Sequence, residues 1–298
     1  MEVTRLGSSD LEVSRVGLGC NNFGRRLDRG ATRAVIDAAL EVGITFLDTA
    51  DTYGSGDSER FIGAALGDRR DRVVLASKFG QNASVPGAGG SRDHVRRAID
   101  GSLERLGLDV IDLYYYHRPD GVTPLAETLG AMQELVDEGR VRWLGLSNVG
   151  ADLIREAAAS GVTVVAVQNH YSLAHRDDDA EVLPLCRELG IGYVPYFPLE
   201  SGLLTGKYRR GEPAPEGSRL SGERLDDEDF DVAEALEKVA SERGRPLLEL
   251  AIGGLASIPG VASVIAGATS PQQVRANAAA GSWRVSEEEL GALARVVA

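Results

Sequence analysis

Eight times along this chain a short, largely apolar, β-branched run gives way to a segment with helical spacing of apolar residues. No other feature restricts its fold so much. The runs are Val16 to Gly19, Thr45 to Asp48, Val73 to Ser77, Val110 to Tyr116, Val141 to Leu146, Val164 to Gln168, Ile191 to Pro195 and Ser263 to Ile265. The helical segments that follow them are Ala31 to Val42, Ser58 to Leu66, Arg92 to Leu106, Leu125 to Asp137, Ala151 to Ala158, Ala180 to Leu189, Pro246 to Ser257 and Pro271 to Ala279. Strands in such units run parallel under a cover of helices, so they read as continuous apolar runs, as VVLAS and VIDLYYY do. Eight units predict an α/β fold of the (α/β)8 or TIM-barrel type; an open doubly wound sheet is the fallback for the same pattern.

Three segments fall outside the repeat. Glu2 to Arg5 and Leu11 to Ser14, separated by Gly7 and Asp10, predict an N-terminal β-hairpin. Phe197 to Arg245 is an insertion after the seventh strand, with a helix from about Asp231 to Arg243, and Glu287 to Val297 predicts a second extra helix. Insertions that follow a barrel strand lie over the mouth where barrel enzymes work. With 298 residues, 43% hydrophobic, and no linker or low-complexity tract, the chain is expected to form one domain over 1–298.

A net charge of −13 repels phosphate backbones and anionic lipid surfaces, so nucleic acid and membrane surfaces are not expected partners. The two cysteines, Cys20 and Cys186, lack metal-site spacing, which fits a reducing, cytoplasmic setting and no metal site. MEVTRLGSSD has no apolar core, so no secretory leader is expected. Leu250 to Val274 carries no charge, but Gly253, Gly254, Pro259, Gly260, Gly267 and Pro271 break it into helix, turn, strand and turn and not a membrane span.

Catalytic groups of a parallel barrel project from the C-terminal ends of its strands, so polar residues that end an apolar run are the candidates. Asp48 ends TFLD, and Tyr53 follows in TADTYG; Lys78 follows VVLAS; His117 follows VIDLYYY; Ser147 and Asn148 end LGLSN; Gln168 ends VAVQ. Singly, each has an ordinary structural role. Together, an Asp, a Tyr, a Lys and a His on one mouth are the parts needed to move a proton to a carbonyl oxygen. A phenol titrates near ~10, but an ammonium ~4 Å away favours the phenolate by about 4 kcal/mol at an effective dielectric near 20. At ~1.4 kcal/mol per unit, Lys78 has the strength to lower Tyr53 by up to ~3 units, with Asp48 orienting the lysine. His117 is then expected to direct the substrate oxygen as a neutral donor.

With FLDTADTYG (Asp48, Tyr53), ASKFG (Lys78) and YYYH (His117) in this order, the sequence resembles the aldo-keto reductase superfamily, from about Thr4 to the C-terminal helix. The resemblance implies a catalytic tetrad of Asp48, Tyr53, Lys78 and His117, proton donation by Tyr53, and hydride transfer from the A face of a nicotinamide. It implies a carboxamide clamp of Ser147, Asn148 and Gln168 and a stacking ring at Tyr196. It further implies cofactor contacts by Gly19, Cys20, Phe197, Leu199, Ser201, Gly202, Leu203, Gly267, Thr269, Gln273 and Asn277. SGLLTGKY resembles the family's pyrophosphate loop. The family places a cation against a 2′-phosphate around GATSPQQVRAN; here Gly267, Ala268, Thr269 and Gln273 stand there, with Arg275 as the substitute. NADPH is the expected cofactor and NADH the second.

The substrate is expected to be a small-molecule carbonyl compound. Asn21, Asn22, Phe23, Arg25, Arg118, Tyr171 and the insertion over residues 197–245 are the candidate pocket lining, and its polar and cationic character suits sugars, hydroxy-aldehydes or an anionic carbonyl. Two other functions fit parts of the pattern. One is a nicotinamide-binding regulatory subunit with little turnover, as the superfamily's channel β subunits are; the other is a barrel isomerase or hydrolase that uses His117 and carboxylates without nicotinamide.

Overall fold

The computed structural model describes residues 1–81, 89–216, 218–220 and 227–296. A hairpin of β1 (Val3–Arg5) and β2 (Glu12–Ser14), antiparallel with Val3 opposite Ser14, opens the chain. Eight strands then alternate with helices: β3 (Val16–Gly19), α1 (Arg29–Glu41), β4 (Phe46–Asp48), α2 (Asp57–Leu66), β5 (Val74–Phe79), α3 (Arg92–Leu106), β6 (Ile111–Tyr116) and α4 (Leu125–Asp137). The second half continues with β7 (Val141–Ser147), α5 (Ala151–Ala159), β8 (Val164–Gln168), α6 (Val182–Glu188), β9 (Gly192–Tyr193), α7 (Asp227–Glu242), α8 (Leu247–Ser257), β10 (Val264–Gly267), α9 (Pro271–Ala280) and α10 (Glu287–Val296).

The strands pair in parallel in the order β10-β3-β4-β5-β6-β7-β8-β9. Past the short β9 the ring closes through backbone bonds from Ala262 to the Tyr193 carbonyl (2.8 Å) and from Ile265 to that of Pro195 (2.9 Å), with a further bridge between Tyr196 and Ile265. The sheet is therefore a barrel and not the open alternative. The expected hairpin and both extra helices are present, and α7 begins four residues earlier than its apolar spacing predicts. Residues 217, 221–226 and 297 of the predicted insertion and terminal helix lie outside the described residues. Among the described residues no helix is long and apolar enough to cross a membrane; the uncharged stretch is divided among α8, β10 and the start of α9.

Local chemistry sets the helix ends. Asp28 accepts from the Ala31 amide at 2.8 Å to cap α1, Ser91 caps α3 through His94, and Ser270 caps α9 with Pro271 at its first position. One apolar layer lies between strands and helices, while Phe46, Ala76, Leu113, Tyr115, Val165 and Ala166 fill the barrel interior. Leu6, Leu11 and Val13 of the hairpin are fully buried against that interior layer, each burial stabilising by about 2 kcal/mol. The hairpin thus stoppers the N-terminal end of the barrel. The opposite mouth, where the strands end, is left for chemistry.

Candidate active site

Each of the four sequence-predicted tetrad residues leaves a neighbouring strand end. Asp48 is the last residue of β4, Lys78 lies one short of the end of β5, and His117 follows β6, its amide bonded to the Phe79 carbonyl at 2.8 Å. Tyr53 starts a short helical turn, Tyr53–Gly56, before α2. Gly54 in that turn has φ +57°, and a β-carbon there would stand 2.6 Å from the Phe23 carbonyl oxygen. The turn can press against the β3–α1 loop only because residue 54 is glycine.

Lys78 is fully buried and donates to Asp48 Oδ2 at 2.6 Å and to the Thr49 carbonyl at 2.8 Å; its nitrogen lies 5.3 Å from the centre of the Tyr53 ring. Burial pulls the ammonium down, but the charges of Asp48 and Tyr53 carry it above the usual lysine value, so it stays charged. The Tyr53 and His117 rings meet edge to face with centroids 5.8 Å apart. Burial, then the charges of Lys78 and Arg118, push His117 down to about 2, so the ring is neutral at pH 7, as a directing hydrogen-bond group requires. Tyr53 departs from the Coulomb expectation. Burial raises its phenol and outweighs the downward pull of Lys78, so its net shift is upward. The lysine limits this rise and does not reverse it.

Asp48, Tyr53 and His117 open into a cleft of about 690 Å³, within the range of small-molecule and cofactor sites, with Lys78 buried behind them. Gly19, Cys20, Ser147, Asn148, Gln168 and Tyr196 line it near the tetrad. Asn148, held at φ +58°, donates to the His117 carbonyl at 2.8 Å and accepts from the Tyr196 hydroxyl at 2.7 Å. Gln168 is less free than a carboxamide clamp suggests, because its amide nitrogen donates to Asp48 Oδ1 at 3.0 Å. Along the strap after β9, Phe197, Leu199, Ser201 and Gly202 line the cleft, whereas Leu203 is turned into the core. Phe197, Glu200 and Ser201 all have positive φ, a conformation costly outside glycine and often kept where a ligand is gripped.

At and after the end of β10, Gly267, Thr269, Gln273 and Asn277 line the cleft; Asn277 donates to the Gly267 carbonyl at 3.3 Å, and Gln273 accepts from Thr269. Three expectations are corrected here. Arg275 is not on the cleft wall and ion-pairs with Glu41 at 2.7 Å, so its place does not support the expected contact with a 2′-phosphate. Phe23 is fully buried in the core and, like the buried Tyr171, does not line the cleft, whereas Asn21, Asn22, Arg25 and Arg118 do. The sequence reading passed over Arg26 and Gln81 and covered Lys207, Ser218 and Arg219 only as part of the insertion; all five line the cleft. Lys207 stands inside the quoted SGLLTGKY, and only its place in a phosphate-loop-like segment hinted at it.

The fit to a dinucleotide is sound on chemical grounds. The cleft wall includes residues of the polar tetrad and of the first turns of a ten-residue helix, α9, and carries lysine and arginine on its strap. The model of the aldo/keto reductase family matches residues 15–298. The chain belongs to the aldo/keto reductase family. It is 36% identical over 296 residues to a probable voltage-gated potassium channel subunit beta of Oryza sativa subsp. japonica, covering 93% of this chain and 90% of that one. It is also 36% identical over 304 residues to probable aldo-keto reductase 1 of Glycine max, covering 97% and 87%. Among solved structures, aldo-keto reductase AKR11C1 from Bacillus halodurans (holo form) superposes with a TM-score of 0.86 at 34% identity, over 100% of this chain and 97% of that one. Membership of the aldo/keto reductase family and this barrel support nicotinamide-dependent oxidoreduction of carbonyl compounds.

Proposed function

We propose that this aldo/keto reductase reduces an aldehyde or ketone to an alcohol with NADPH, or runs the reverse oxidation, with Tyr53 as the group that gives or takes the proton. The observation that carries the reading is the buried Asp48–Lys78 pair at 2.6 Å behind a tyrosine whose ring faces a neutral histidine across the cleft mouth. When bound, the nicotinamide supplies the hydride. Tyr53 protonates the carbonyl oxygen as negative charge develops there, and the Lys78 ammonium stabilises the phenolate left behind. His117, neutral, directs the oxygen at the phenol. Asp48 keeps Lys78 charged and in place, and Gln168 holds the second oxygen of Asp48.

Ser147, Asn148 and Tyr196 are the residues that would hold the nicotinamide, and Ser201, Gly202, Lys207 and Arg219 the phosphates. Lys207 and Arg219 supply positive charge for the pyrophosphate, which NADPH and NADH have in common. Tyr53→Phe tests the chemistry. It is expected to lower kcat by about 10²- to 10⁴-fold while NADPH binding, followed by fluorescence, stays within a few-fold of wild type. Full reductase activity in that variant would show that the acid is another group. A second reading follows from the rice relative and a similarly named Arabidopsis thaliana protein 35% identical to this chain: a nicotinamide-binding regulatory subunit. Tight cofactor binding with negligible repeated turnover on a broad aldehyde panel would favour it.

A further inference from the structure

The cleft is far more positive than the chain around it. The net charge is −13, yet among the described residues five cationic side chains, Arg25, Arg26, Arg118, Lys207 and Arg219, line the cleft. The single carboxylate on the same described wall, Asp48, is already bound to Lys78 at 2.6 Å. Lys207 and Arg219 are on the strap, where the phosphates of a dinucleotide account for them. Arg25 and Arg118 are elsewhere. Arg118 directly follows His117, its guanidinium reaches Asn148 Oδ1 at 3.4 Å, and its charge is felt at both His117 and Tyr196. Arg25 belongs to the loop after β3, whose Phe23 carbonyl backs the turn that presents Tyr53.

Arginines in this protein are commonly paired, as Arg69 is with Asp37, Arg105 with Glu59 and Arg142 with Asp112. Among the described residues neither Arg25 nor Arg118 forms an ion pair. Their charge is permanent, and a guanidinium fork matches the two oxygens of a carboxylate or phosphate. A neutral aldehyde or sugar entering the cleft would shield these cations from water and give nothing in return, whereas Asn21, Asn22 and Asn148 already suffice for neutral hydroxyls. On the footing that this is a carbonyl reductase, we propose that its substrate is a small aldehyde or ketone that also bears a carboxylate or phosphate, which Arg118 and Arg25 hold while the carbonyl faces Tyr53 and His117. The field of the cleft would also draw such anions in against the overall negative charge.

The test compares charged and neutral partners of similar shape with NADPH: 4-carboxybenzaldehyde against 4-nitrobenzaldehyde, and glyceraldehyde 3-phosphate against glyceraldehyde. The first pair reads carboxylate and the second phosphate. Removing a charge-assisted contact is expected to lower the charged-to-neutral ratio of kcat/KM by roughly 10- to 100-fold in Arg118→Gln, mainly through KM, with a smaller fall in Arg25→Gln and much of the ratio kept in Arg118→Lys. A ratio unchanged by Arg118→Gln for both pairs overturns the anion site and leaves the reductase reading intact. Binding gives a readout that needs no turnover: benzoate, and not benzamide, should perturb the fluorescence of the NADPH complex, and Arg118→Gln should abolish the difference. Benzoate binding that depends on Arg118 with no turnover of any aldehyde would keep the anion site and sink the reductase reading. Equal binding of benzoate and benzamide would overturn the anion site.

Discussion

Asp51, two residues before Tyr53, is held in a state its sequence position gives no hint of. Its Oδ1 is buried without a hydrogen-bond partner, and burial, then the nearby Glu59 carboxylate, push it up to about 7. A carboxyl whose folded pKa is raised contributes stability that is complete below its unfolded value near ~3.9 and is lost as pH rises through 7. Asp51→Asn removes that loss. Its stability relative to wild type is expected to improve by about 2 kcal/mol between pH 5 and pH 8, read from thermal unfolding at the two pH values; a pH-independent difference would show that Asp51 is not the titrating group. The meeting of Asp48, Tyr53, Lys78 and His117 at one mouth could be read from sequence because each lies at or near a strand end. Pairings across hundreds of residues could not. Nothing local in GATSPQQVRAN says that Arg275 is taken by Glu41, 234 positions away, or that Phe23 turns from the pocket into the core.

Among the elements, the strand-to-helix turn Tyr53–Gly56 does most to place the chemistry. Gly54→Ala would put a methyl group 2.6 Å from the Phe23 carbonyl oxygen at φ +57°. A destabilisation of about 1–3 kcal/mol is expected, together with a fall in kcat larger than any change in NADPH affinity, because the displaced residue is Tyr53. Unchanged kcat in a stable variant would show that the turn does not fix the tyrosine. The regular strand and helix pairs matched their apolar periodicity to within two residues at most ends. The strap after β9 did not, since it is built on non-glycine residues at positive φ and on a 3₁₀ stretch, Glu200–Thr205, that periodicity does not describe. That irregular strap brings Lys207 to the cleft.

The molecule as a whole divides its labour between two barrel ends: a hydrophobic hairpin fills one, and a cation-lined cleft occupies the other. An overall charge of −13 would make an anionic dinucleotide an unexpected ligand if charge were spread evenly. It is not. Composition reports only the sum, while the fold sorts many arginines into surface ion pairs and others onto the cleft wall, and for this reason the charge balance argued against nucleic acid as a partner without hinting at a cation-lined mouth. The most direct measurement is a fluorescence titration of the full chain with NADPH and with NADH, followed by repeated turnover of 4-nitrobenzaldehyde with the cofactor that binds. Saturable binding, tighter for NADPH, with many turnovers per site is the predicted result; failure to bind either nucleotide would contradict a nicotinamide-dependent reductase outright.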